Sequence, residues 1–96
     1  MNEPLPDVHE GVVDGATLDA LFDDIAREAR VFAVLVKGGA EALAEGGGVT
    51  LDAARDALKA GSVRAVQVRY EHRGVVWMDT LLRAPGGYRV VRMAAG

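Results

Sequence analysis

Between Ala16 and Ala29, apolar residues recur with a helical period. Leu18, Leu21, Phe22, Ile25 and Ala29 follow the i, i+3, i+4, i+7 spacing, while Asp19, Asp23, Asp24, Arg27 and Glu28 take the other side. The spacing predicts an amphipathic helix starting near Ala16 or Thr17. Thr17 is the expected N-cap, and Asp19 in the first turn is favoured by the helix dipole. Val31 to Val36 is an unbroken apolar run that fits either a continued helix or a buried strand. Its three valines and the Lys37-Gly38-Gly39 stop favour a strand covered on both faces. Ala40 to Glu45 suits a short helical turn, and Gly46-Gly47-Gly48 a hinge or loop. A second helix has two clear ends: Thr50 caps it, Leu51, Ala54 and Leu58 form a narrow stripe, and Gly61 stands where a left-handed residue closes a helix.

From Val63 the period changes to two. Val63 to His72, Val75 to Arg83 and Tyr88 to Met93 read as three strands, joined at Arg73-Gly74 and at Ala84-Pro85-Gly86-Gly87. The fold class is therefore α+β: two helices packed on an antiparallel sheet of three to four strands, in the order α-β-α-β-β-β. Residues 1–15 show neither period and read as a flexible lead-in to a single domain at 16–96.

Tight hairpins fix the faces, since a one-residue slip would exchange them. With His72 opposite Val75, Tyr70 meets Trp77, Val68 meets Asp79 and Val66 meets Leu81. With Arg83 opposite Tyr88, Leu81 meets Val90 and Asp79 meets Arg92. One face then carries Val66, Val68, Tyr70, Trp77, Leu81, Tyr88 and Val90 and is the better core. The other carries Gln67, Arg69, Glu71, Val76, Met78, Thr80, Leu82, Arg89, Val91 and Met93, too apolar for a face meant only for water. Two helices cover both faces only if they divide between them. If the second helix crosses over, nothing is exposed; if both lie on one side, an apolar patch framed by Arg69 and Arg89 remains, the kind of surface that marks a protein partner.

Composition narrows the function. The chain has 96 residues, half of them apolar, no cysteine and a net charge of −3. Without cysteine there is no disulfide, thiolate zinc site or thiol nucleophile. The longest apolar run is far short of the roughly 20 residues that span a bilayer, and the N-terminus lacks a secretory signature. A cytoplasmic, bacterial-type protein is expected, in keeping with nine arginines against two lysines. Residues 1–61 hold 12 acids and 5 bases, whereas residues 62–96 hold 2 acids and 6 arginines. The basic meander gives a nucleic-acid reading, but its arginines spread over both faces and the turns, so that reading ranks third and nucleic acid is not the expected partner.

Catalytic chemistry finds little support. His9 and His72 lie far apart and form no metal-ligand spacing, and neither GxxxxGK[ST] nor GxGxxG is present. The single serine, Ser62, lies in no nucleophile-elbow sequence. No catalytic residues, metal site or cofactor are expected. Asp79 stands out, in mid-strand within an apolar run, because a buried carboxylate needs a partner. Arg92 fits as a structural ion pair. The functional version is a small-ligand pocket, or a modest enzyme site, of Tyr70, Trp77, Asp79, Tyr88 and Arg92. The leading expectation is a non-catalytic interaction or accessory module that binds itself, or another protein, through the meander. Arg69, Val76, Met78, Leu82, Arg89, Val91 and Met93 would form that interface.

Overall fold

The computed structural model describes residues 8–39 and 49–95. Their elements run β1 (Val8–Val13), α1 (Gly15–Glu28), β2 (Arg30–Gly39), α2 (Leu51–Ala60), β3 (Val63–His72), β4 (Val75–Ala84) and β5 (Gly87–Ala94). The strands form one antiparallel sheet in the order β1-β5-β4-β3-β2. The α+β class holds. The sheet has five strands rather than three or four, and the order opens on a strand.

That first strand lies where the sequence pattern suggested a flexible lead-in. Val8–Val13 pairs with β5, from Val8 opposite Met93 to Val13 opposite Tyr88. Its backbone hydrogen bonds come from a strand some 80 positions away, so no local period announces it. Gly87 makes the approach possible. Its φ is +148°, and a Cβ there would strike the backbone of Val13.

α1 begins earlier than the Thr17 cap implied. Asp14 is the N-cap, and its carboxylate accepts the Thr17 N–H at 2.8 Å. The Thr17 side chain first, and then the Thr17 N–H, hold the Asp14 carboxyl below its ordinary value. α2 keeps both expected ends: the Thr50 hydroxyl accepts the Ala53 N–H at 3.0 Å, and Gly61 closes the helix at φ +80°. The turn and hinge expected over residues 40–48 lie outside the described residues.

β2 confirms the strand reading of Val31–Val36 but corrects its cover. It is an edge strand, with an irregular register between Val31 and Ala33. Val31, Val34 and Val36 pack on the core, whereas Phe32 and Leu35 are about half exposed, at 48% and 52%. A ten-residue edge strand interrupted by a bulge pairs less readily with a stray strand.

The hairpins have the expected register. His72 lies opposite Val75 across Arg73-Gly74, whose φ angles of +54° and +82° match the turn favoured by strand twist. Ala84 lies opposite Gly87 across Pro85-Gly86, with Gly86 at φ +87°. Leu18, Phe22 and Ile25 of α1 and Ala54, Ala57 and Leu58 of α2 join Val63, Val66, Val68, Tyr70, Leu81 and Val90 in one core. Both helices therefore lie on the same side of the sheet. Lys59 of α2 ties to Asp19 of α1 at 2.9 Å, and Arg83 of β4 donates to the Lys59 carbonyl at the end of α2. No helix among the described residues is long and apolar enough to cross a membrane.

Candidate functional site

Two regions carry the residues singled out by the sequence, one on each side of the sheet. On the side that no helix among the described residues covers, the bare side, cross-strand register places Arg69, Met78 and Met93 in one row, Gln67, Thr80 and Val91 in the next, and Ala65, Leu82 and Arg89 in a third. Val76 lies opposite Glu71 at one end. All seven proposed interface residues thus share one face. Arg69 and Arg89 are exposed, while Val76, Met78, Leu82, Val91 and Met93 are partly buried. Neighbouring side chains on a pleated face stand about 5 Å apart, close enough to shield one another in part.

The edge strands widen this surface. Register adds Glu10 and Val12 from β1, and Ala33, Leu35 and Lys37 from β2. Val12 is 55% exposed. Glu10 forms an ion pair with Arg89, and Gln67 donates to the Thr80 hydroxyl at 3.2 Å, so polar groups on the face satisfy each other. Sequence reasoning missed Glu10 and Val12, since their face is assigned only by pairing with β5. The density of valine at Val8, Val12 and Val13 was the available signal.

On the helix side, Asp79 is fully buried among the core side chains. Arg92 grips it with two nitrogens, Nε at 2.9 Å and Nη2 at 2.8 Å, and the Tyr70 hydroxyl donates at 3.1 Å. The guanidinium also lies over the Tyr70 ring, 5.9 Å from its centroid. No buried side-chain polar atom among the described residues lacks a partner. Burial first, and then the Asp79 charge, push the Tyr70 phenol above its ordinary value. The hydrogen bond to Asp79 raises the Arg92 guanidinium in turn. Every carboxylate oxygen is engaged and the group is sealed from water, so the arrangement holds charge in place.

Beside this triad opens a cleft of about 460 Å³, lined by His9, Leu21, Tyr70, His72, Trp77 and Arg92 among others. A second hollow of about 570 Å³ lies against α1 and shares Leu21, Tyr70, His72 and Arg92 with it. The His9 and Trp77 rings sit 6.4 Å apart, tilted by 58°. Of the five residues proposed as a pocket, Tyr70, Trp77 and Arg92 line the cleft and Asp79 lies beneath them. Tyr88 does not join them: it pairs with Arg83, four residues from Arg92 along β5. His9 and His72, which looked unrelated in sequence, border the same cleft. No group of three or more His, Asp or Glu side chains among the described residues is arranged to hold a metal ion. No known family model, curated protein or solved structure matches the chain significantly.

Proposed function

We propose that the protein is a non-catalytic interaction module that pairs with a second copy of itself through the bare face of its sheet. The observation that carries this reading is the placement of both described helices on the opposite side. Val76, Met78, Leu82, Val91 and Met93 form the apolar centre, with Arg69 and Arg89 at the rim. Five strands about 4.8 Å apart, each pair matched over six to eight positions, give a flat footprint of about 500 Å². Two such footprints reach the lower bound of roughly 1,000 Å² for a specific interface.

A second copy suits this face better than a strongly charged partner. Its rim mixes Lys37, Arg69 and Arg89 with Glu10 and Glu71, so two copies bring both signs together. Similar flat faces pack about 10 Å apart when their strands align, giving four layers, with helices outside and the two sheets within.

Sedimentation equilibrium at tens of micromolar tests the reading. The expected mass is that of two subunits for the parent chain, and of one subunit for a Met78→Glu variant whose circular dichroism is unchanged. A parent chain that stays at one subunit up to hundreds of micromolar refutes self-association.

A further inference from the structure

We infer that the cleft between α1 and the β1-β5-β4-β3 end of the sheet is a binding site for a small aromatic carboxylate. This site is on the helix side of the sheet and is independent of the proposed pairing face.

Two features point to that ligand class. The first is an anchored donor. Arg92 uses Nε and Nη2 to hold Asp79, and its third nitrogen, Nη1, makes no hydrogen bond among the described residues. The Arg92 side chain keeps 37% of its surface exposed, so the guanidinium is both fixed and reachable. A donor already immobilised by a buried carboxylate loses little further freedom on binding an anion. His9 and His72 border the same space and add imidazole donors.

The second feature is the shape and character of the walls. Trp77 and Tyr70 supply aromatic surface, while Leu21, Val13 and Val90 supply aliphatic surface. The two carboxylates nearest the cleft are both engaged: Asp79 is fully buried under Arg92, and Glu10 is paired with Arg89. Within the cleft itself an anion therefore meets donors rather than a free carboxylate. A volume of about 460 Å³ admits a single ring bearing a carboxylate. The adjoining hollow shares Tyr70, His72 and Arg92 with the cleft and adds Asp24 and Glu28 of α1 and Arg73 of the β3–β4 turn, so a substituent that reaches into it meets charges of both signs.

Trp77 is the chain's single tryptophan, so its indole N–H is a unique resonance for the test. Benzoate, its neutral analogue benzamide and the cation phenethylamine are titrated separately into isotopically labelled protein, up to about 10 mM. Benzoate is expected to shift the Trp77 signal saturably and to bind about tenfold tighter than either comparator, because only it accepts charge-assisted bonds. A Leu21→Glu variant puts a competing carboxylate into the cleft from α1, keeps Trp77 the single indole and is expected to abolish the shift. His72→Gln is expected to weaken binding while leaving the fold unchanged. Absence of a saturable shift, equal binding of benzamide, tighter binding of phenethylamine, or full binding by Leu21→Glu would each overturn the assignment. Shifts confined to Met78, Val91 and Met93 would overturn it as well, since they would place the probe on the other face.

Discussion

The two faces of the sheet are made from alternate residues of the same strands, yet they meet opposite demands. On the helix side, Val66, Val68, Leu81 and even the carboxylate of Asp79 are removed completely from water. On the bare side, Met78, Leu82 and Val91 are only partly shielded. The helix side can therefore hold a buried carboxyl group, because Arg92 and Tyr70 satisfy it. The bare side holds its charges at the rim, where water still reaches them. Composition alone does not separate the faces, since valine, leucine and arginine occur on both. Cover separates them.

The largest expected effect strikes the covered face. Arg92→Met strands a fully buried carboxylate, and unfolding in urea is expected to show a loss of about 4 kcal/mol. A loss below about 1 kcal/mol would mean that water reaches Asp79, against its complete burial.

The sharpest comparison uses neighbours. Leu81 and Leu82 follow each other on β4 and point to opposite faces. Leu81→Ala is expected to cost about 3 kcal/mol. Leu82→Ala, measured at submicromolar concentration so that the single subunit is observed, is expected to cost about 1 kcal/mol. Equal costs would show that the bare face is covered within one subunit.

Alkaline pH probes the triad through Tyr70. Below pH 10 the phenol is protonated in both folded and unfolded chains, so its contribution to stability is complete. Above that, the unfolded chain releases the proton while the folded chain retains it, and stability falls as pH rises. The expected decline is up to about 1.4 kcal/mol per pH unit, and it should disappear in Tyr70→Phe.

The smallest effect belongs to the helix surface. Arg55 lies within 4.0 Å of carboxylates on Asp19, Asp23, Asp52 and Asp56, and Lys59 bonds Asp19. The hydrogen bond to Asp56, more than the charges of the other carboxylates, raises the Arg55 guanidinium above its ordinary value. Lys59→Ala is nevertheless expected to cost less than about 1 kcal/mol, and added salt should shrink the difference further.

Much of the meander was legible because its determinants are local. Arg73-Gly74 and Pro85-Gly86 set the two turns, and the turns set the register of Tyr70 with Trp77 and of Asp79 with Arg92. Thr50 and Gly61 likewise bounded α2 by chemistry within a few residues. β1 was not legible: His9, Glu10 and Gly11 interrupt its valines, and its stability comes from pairing with β5. For the same reason the cleft was read only in part. Tyr70, Trp77 and Arg92 come from the meander, whereas His9 arrives with β1 and Leu21 with α1. Tyr88 was grouped with them on face alone, and distance along β5 separates it.

The sequence by itself determined the helices, the hairpin registers and the division of the meander into two faces, since turns, caps and periodicity act over a few residues. Only the tertiary structure decided that β1 and β2 take the two edges and that both helices settle on the Asp79 side. Those choices depend on contacts between distant segments, and an amphipathic helix carries no local mark of which sheet face it will cover.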